Sequence, residues 1–373
     1  MNLNNNLYFD VAATTPLDPR VADHMHNINK TIFGNPSSIH QQGQEAHNII
    51  ERARKNMATL LGCKQSEIYF TSGGSESNNI ALRGILKKGD HFITSLYEHP
   101  AILEVAKHLE NNGVEVSYIN PNNEGIVDPK NIKKIIRNNT KMISIMMLNN
   151  ELGTINPLSE ISEISKNKNI LFHTDAVQYI GKQQLNLNNL SIDLLSIGAH
   201  KFYGPKAIGV LYIRSGIDTD PLILGGGQEK GISPGTQNPS LISGMSYALE
   251  LSMDELEKNN SHIQDMETLF LSLLDKTTIK YKINGTSRLP GFINITFFDY
   301  DGHSLLLNLD MKNIAISYGS ACSSGSASAS SALLAIGMDE EIAKKTVRIS
   351  IGKFISRDNI IALINTLKEI IEK

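Results

Sequence analysis

The sequence predicts an α/β protein: a large unit built on a mostly parallel sheet, followed by a smaller α+β unit. Three observations carry this reading. From about residue 66 to 214, short apolar runs alternate with stretches of helical spacing, the pattern of repeated strand–helix–strand units. After about residue 250 the alternation stops, and long helical stretches precede separated strand-like runs. The chain has 373 residues, 40% of them hydrophobic and 20% charged, which allows two domains, or one large domain with an appendage, without staples.

Taken in order, residues 43–62 carry Ile49, Ile50, Ala53, Met57, Leu60 and Leu61 at helical spacing and close on Gly62. Seven strand-like runs follow: EIYF (67–70), HFITS (91–95), VEVSYI (114–119), MISIMML (142–148), ILFHT (170–174), DLLSI (193–197) and IGVLYI (208–213). Helical spacing separates them at 76–88, 99–111 and 128–137. Beyond the change of character come helical stretches at 241–257 and 261–275, strand-like runs at 293–298 and 347–352, and an amphipathic helix at 357–371. Residues 319–332, GSACSSGSASASSA, form one small-residue segment of the kind that is often functional in compact enzymes.

The formal net charge of −3 points to neither a nucleic-acid nor an anionic-membrane surface. No apolar run approaches the roughly 18 residues that span a bilayer. The N-terminus lacks a basic stretch followed by an apolar one, so a cytoplasmic location is expected. With only Cys63 and Cys322, a disulfide framework and a CxxC-type zinc site within the chain are excluded.

Four places combine reactive residues with strand ends. Lys201 follows DLLSI and precedes a Gly/Pro turn; a lysine desolvated there becomes a better nucleophile, although a strand-end lysine taken alone is more often simply exposed. Asp175 lies just past ILFHT, with Gln178 three residues on. An acid there suits the ring nitrogen of a pyridine-type cofactor, and equally an N-cap for a helix starting near Ala176. Ser72, Gly73, Gly74 and Ser75 join a strand to a helix, where close backbone approach and free N–H groups favour a phosphate; capping alone would also account for Ser75. His99, at the start of the helix after HFITS, stands at the sheet edge where open α/β sheets bind ligands.

These motifs, in order with YFDVAATTPLDPRV, FGNPSS, EHPAIL, NNELGTINP, AHKFYGPKAIG, GGGQEKG, GSACSSG and VRISIGKF, resemble the cysteine desulfurases of the NifS/IscS type. These belong to the class-V branch of the aminotransferases that depend on pyridoxal 5'-phosphate (PLP). The resemblance is collinear over essentially the whole chain. It implies the PLP-dependent transferase fold (aminotransferase fold type I), with a seven-stranded, mostly parallel sheet in a large domain over residues 16–250. A small α+β domain over 1–15 and 251–373 would carry the cysteine loop.

The implied roles are specific. Lys201 would form the Schiff base with PLP and move the substrate's α-proton, Asp175 would pair with the ring nitrogen, Gln178 with the ring hydroxyl, and His99 would stack on the ring. Gly74, Ser75 and His200 would hold the phosphate, with Thr236 reaching it from the second subunit of a homodimer. Asn150 and Arg348 would bind the substrate carboxylate, and Asn35 would line the substrate side. Cys322 would take sulfur from L-cysteine as a persulfide, releasing L-alanine, and pass it to an acceptor protein that builds iron–sulfur clusters or thiolates tRNA or cofactors. The resemblance leaves room for Cys322 as a transient iron–sulfur ligand, and implies no direct contact with nucleic acid or membrane. Cys63 reads as packing. Selenocysteine lyase, and a partner-dependent sulfur-transfer scaffold with low activity alone, are the rival readings.

Three single positions and one five-residue stretch depart from the family pattern. Gly198 stands where a phosphate-binding serine is usual, and Ser233 where an arginine is usual. Ala-Ser-Ala-Ser-Ser (327–331) replaces Leu-Glu-Pro-Ser-His, and Lys353 replaces an arginine. The first implies weaker PLP retention; the first and the third, the 327–331 stretch, imply a specialised branch with its own sulfur acceptor.

Overall fold

The computed structural model describes residues 7–319 and 329–372. Its strands are β1 (Leu7–Tyr8), β2 (Ile68–Thr71), β3 (His91–Ser95), β4 (Glu115–Ile119), β5 (Thr140–Ser144) and β6 (Leu171–Asp175). They continue with β7 (Leu194–Gly198), β8 (Gly209–Ile213), β9 (Tyr281–Asn284), β10 (Phe292–Phe297), β11 (Ile314–Ala315) and β12 (Thr346–Ser350). Each of the seven apolar runs of the first half contributes one strand to a seven-stranded sheet, ordered β2-β8-β7-β6-β5-β3-β4. β8 runs against both neighbours and every other adjacent pair is parallel. The reversal follows from connection length: residues 199–208 join β7 to β8, fewer than the roughly dozen residues a parallel crossover takes.

Strands β3, β7 and β8 are buried throughout, which is why they read as continuous apolar runs and not as alternation. Helices cover both faces. The helix Gln41–Leu61 buries Ala46, Ile50, Ala53, Met57 and Leu61 along one stripe, and Gly62 ends it in the left-handed conformation (φ 66°). The helix Gly74–Arg83 is shorter than its sequence spacing suggests. The long stretches after residue 239 are the helices Pro239–Asp254 and Leu256–Leu274, broken at Glu255, whose carboxylate is drawn to Arg20 at 2.6 Å.

The C-terminal part forms an antiparallel sheet, β12-β10-β9, with a parallel two-residue pair β1–β11 beside it. Phe270, Phe297, Ile349 and Leu363 belong to its core. Ala332, Leu333, Ile336 and Ala343 instead pack into the core of the large sheet. No described helix is long and apolar enough to cross a membrane.

One sequence expectation is corrected. No helix starts near Ala176: residues 176–179 make a single turn, with Tyr179 and Ile180 N–H both donating to the Ala176 carbonyl. Asp175 therefore caps a turn and no helix. The turn cannot continue because Gly181 follows at φ 81°, and any Cβ there would meet Phe202 Cβ at 2.3 Å.

Parallel strands share a direction, so β2, β3, β5, β6 and β7 all end on one edge of the sheet. The segments leaving that edge bring Gly74, His99, Asn150, Asp175 and Lys201 together.

Candidate active site

The segment after β2 is shaped by its glycines. Gly73 holds φ 150° and ψ −178°, a conformation that favours glycine. A Cβ on Gly74 would sit 2.6 Å from Val177 Cγ2, so only glycine lets the helix Gly74–Arg83 begin this close to the segment after β6. Among the described residues no side chain caps that helix. Capping therefore does not account for Ser75, and the first N–H groups stand at the wall of a cavity lined by Gly74 and Ser75.

Asp175 ends β6 with both carboxylate oxygens engaged: Oδ1 accepts from the Val177 N–H at 2.9 Å and Oδ2 from Asn78 Nδ2 at 2.7 Å. Gln178 donates through Nε2 to the Ala12 carbonyl at 2.7 Å, and its Oε1 is buried without a partner among the described residues. Lys201 lies in the one-turn 3₁₀ segment after β7, and its Nζ donates to the Ala12 and Ala13 carbonyls at 2.7 and 2.6 Å. The segment 12–15 is tied in turn to the lysine's own loop, because the Thr15 N–H and hydroxyl both donate to the His200 carbonyl.

Two histidines flank the lysine. Burial lowers the pKa of each: that of His200 to about 4, with further lowering by Lys201, Lys182 and Lys206, while Asp175 partly offsets the effect at His99. His200 Nδ1 lies 3.2 Å from the Thr14 hydroxyl. His99 Nδ1 accepts from the Ala101 N–H at 3.1 Å, which places the neutral ring's proton on Nε2.

Glu98 is fully inside. Its Oε1 accepts from the Met146 N–H at 2.8 Å and the Ser95 hydroxyl at 3.1 Å, and its Oε2 has no partner among the described residues. Burial, reinforced by the Asp175 charge, raises its pKa from 4.5 to about 8. The folded protein thus keeps a proton that the unfolded chain releases, and stability that is complete below 4.5 is lost as pH rises towards 8. Glu98→Gln, uncharged throughout, is expected to shrink the fall in unfolding temperature between pH 6 and pH 9. A fall as steep as that of the wild type would assign the pH dependence to other groups.

Arg348, on β12, is 2% exposed. Its Nη1 donates to the Asn150 carbonyl and its Nη2 to Asp10, each at 2.7 Å, and its Nε has no partner among the described residues. These side chains close round a cavity of about 240 Å³ that includes Asn78, His99, Asn150, Asp175, Gln178, His200, Lys201 and Arg348 in its wall.

The residues fit the cofactor that the resemblance implies. Five buried side-chain polar atoms lack partners among the described residues, and three of them, on Asn78, Gln178 and Arg348, belong to this wall. Buried polar atoms left open are a signature of a site built for a polar ligand. An acid, an amine and an uncapped helix start in one cavity match a ring nitrogen, an aldehyde and a phosphate. Among the described residues no cluster of three His, Cys, Asp or Glu side chains is placed to hold a metal.

Not every predicted residue meets here. Gly198, at the end of β7, lies just behind the wall, where an added Cβ would be 3.7 Å from the Gly74 nitrogen. Asn35 is exposed, accepting from the Ser37 N–H, and Thr236 is exposed on its loop. Cys322 lies outside the described residues. Cys63 is half-buried, and burial pushes its thiol up to about 12, as befits an inert packing cysteine. The sequence reading passed over Asn78, Asp10 and Glu98. Asn78 was findable, since it falls four residues after Gly74 on the same helix face; nothing local marked Asp10.

Comparison with known proteins agrees with this geometry. Residues 7–363 match the family model "Aminotransferase class-V". The chain is 44% identical to the cysteine desulfurase IscS of Dictyoglomus turgidum over 377 residues, covering 100% of this chain and 96% of that one. Among solved structures, a NifS-like protein superposes with a TM-score of 0.92 at 35% identity, covering 98% of this chain and 99% of its own. A structure of SspA in complex with cysteine gives 0.84 at 36% identity, covering 94% and 100%. The chain belongs to the class-V aminotransferase family, among relatives of the IscS and NifS type.

Proposed function

We propose that this chain is a PLP-dependent cysteine desulfurase that moves sulfur from L-cysteine to Cys322 and releases L-alanine. The observation that carries the reading is the placement of Lys201 and Asp175 in one cavity with the uncapped start of the helix Gly74–Arg83. When bound there, PLP supplies an electron sink for the α-carbon of an amino acid. Lys201 supplies the amine that joins it and, once released, moves the α-proton. Asp175 keeps a negative charge at the ring nitrogen, and Asn78 holds that carboxylate in place through its 2.7 Å bond. His99 covers the ring face, and Gln178 serves the ring hydroxyl.

Gly74, Ser75 and His200 hold the phosphate, His200 as a neutral donor. Thr236 completes this grip from the partner subunit of a homodimer, a role that suits its exposure on the single chain. The fork of Arg348, set by Asp10 and the Asn150 carbonyl, presents a buried Nε to the substrate carboxylate beside Asn150. The Cys322 thiolate then attacks the substrate sulfur. A sulfur–sulfur bond forms, the carbon–sulfur bond breaks, and the carbon keeps the electron pair and takes a proton. An acceptor protein that assembles iron–sulfur clusters or thiolates tRNA or a cofactor removes the sulfur in the cytoplasm.

The test is direct. Purified protein given PLP and L-cysteine is expected to release alanine and gain the mass of one sulfur atom on Cys322. Turnover of L-selenocysteine with none of L-cysteine would replace this reading by a selenocysteine lyase. Absence of both products would remove it.

The phosphate grip carries a further expectation. Gly198 has an ordinary extended conformation, and a Cβ there would meet His200 and Val177 at 3.5 Å, so serine fits without strain. A hydroxyl added beside the Gly74 nitrogen makes one more bond to a charged group, worth about 1.5–3 kcal/mol. Gly198→Ser is expected to hold PLP roughly 10- to 100-fold more tightly, measured as slower cofactor loss on dialysis. An unchanged rate would mean the site lacks no donor.

A further inference from the structure

Lys182 was assigned no part in the site, and it touches the site from behind. It follows Gly181 in the turn after β6, and its amine is buried. Nζ donates at 2.9 Å to the Gln178 carbonyl and at 2.9 Å to the Lys201 carbonyl. One amine thus spans the segments leaving β6 and β7, each of which carries a side chain of the cavity wall. The surroundings hold it there: Gly181 presses against Phe202, Asn260 donates to the Lys182 carbonyl at 3.2 Å, and the Phe292 ring centroid lies 6.0 Å from Nζ.

A buried lysine that serves only as a brace is ordinarily paired with a carboxylate, because an unpaired cation is expensive to desolvate. Here the hydrogen-bonding partners are two main-chain carbonyls, and the charged neighbour that acts on the amine is another lysine, Lys201. We infer that Lys182 is a positioning residue for the reaction: its amine locks the main chain at Lys201 to that at Gln178, and so sets where the Lys201 nitrogen stands. The inference rests on the reading of Lys201 as the lysine that binds the cofactor.

Coulomb's law adds a consequence that a plain brace lacks. A cation behind Lys201 disfavours a proton on the Lys201 nitrogen, free or joined to the cofactor. The pair acts both ways, since burial and then Lys201 bring Lys182 down to about 7. The other groups in this field are His200, which feels Lys201, Lys182 and Lys206, and His99, which feels Asp175 and Lys201. Both histidines are kept neutral by burial, so below pH 7, where the Lys182 amine holds its proton, it is a neighbouring positive charge that a substitution would remove.

The experiment compares full-length wild type with Lys182→Met and Lys182→Arg, each loaded with PLP. The pH at which the visible band of the lysine-bound cofactor titrates is expected to rise by about one unit in Lys182→Met and to return towards the wild-type value in Lys182→Arg. In the apoproteins, the rate at which PLP forms a borohydride-reducible adduct on Lys201 at pH 6 is expected to fall about tenfold in Lys182→Met. Should the methionine variant not fold, Lys182→Gln takes its place. A wild-type midpoint and adduct rate in a folded, uncharged variant would overturn the inference, leaving the proposed function intact. An arginine variant displaced as far as methionine would overturn it too. Wild-type protein that forms neither band nor adduct would sink the reading of the site itself, and the inference with it.

Discussion

Lys201→Ala is expected to abolish the borohydride-stable adduct with PLP and to lower cysteine desulfuration by at least about 10⁴-fold, some 5 kcal/mol of barrier. The size follows from two proposed roles that end together, since in that mechanism the same nitrogen joins the cofactor and moves the α-proton. The substitution also deletes the bonds from Nζ to the Ala12 and Ala13 carbonyls, which hold the N-terminal segment over the cavity. Those bonds to a charged donor contribute about 1.5–3 kcal/mol each, so some loss of stability is expected as well. Lys201→Arg separates the two effects. It keeps a charged donor near both carbonyls but cannot form the imine, so it should unfold close to wild type and remain inactive. Substantial activity in the arginine variant would show that the reaction does not pass through this amine.

Asp175→Asn is expected to lower kcat by roughly 10²- to 10³-fold with a smaller change in KM. The shape of the side chain is preserved, and one oxygen can still accept from the Val177 N–H. What disappears is the negative charge proposed to face the ring nitrogen, and with it much of the electron-withdrawing power of the bound cofactor. Asn78, which now donates to Asp175 Oδ2 at 2.7 Å, would face the new amide nitrogen, so that one of the two amides must flip or a donor is left opposed to a donor. Retained PLP with a displaced visible band and slow turnover is the expected signature, read by absorbance and alanine release. Near-normal kcat would mean that this carboxylate does not serve the ring nitrogen.

Most of the fold was legible because the central strands of the large sheet are buried on both sides and bounded by turn residues, so they read as apolar runs. HFITS matches β3 residue for residue, and the terminal helix matches Arg357–Ile371. The expected helix after Asp175 was not there, because periodicity over four residues cannot distinguish a single turn from a helix start. The close approach of Gly181 to Phe202 decides the matter, and it is a contact between segments. Lys201, Asp175, His99 and Gly74 were legible as candidates because strand ends in an α/β sheet converge on one edge. Asp10 and Lys182 were not. Asp10 acts by fixing Arg348, 338 positions away in the chain, and Lys182 acts through a main-chain carbonyl that carries no side-chain signal.

By itself, the sequence determined which residues are candidates for chemistry and on which strand ends they sit, since local spacing and turn residues depend only on neighbours in the chain. Its ordered motifs also determined the family. Tertiary structure alone decided which of those residues share a cavity, which polar atoms remain open within it, and which ionisable groups are kept neutral. These depend on burial and on charges brought close by folding. Desolvation of Glu98, His99 and His200 arises only once the sheet edge, the N-terminal segment and the helix Gly74–Arg83 have closed round one space.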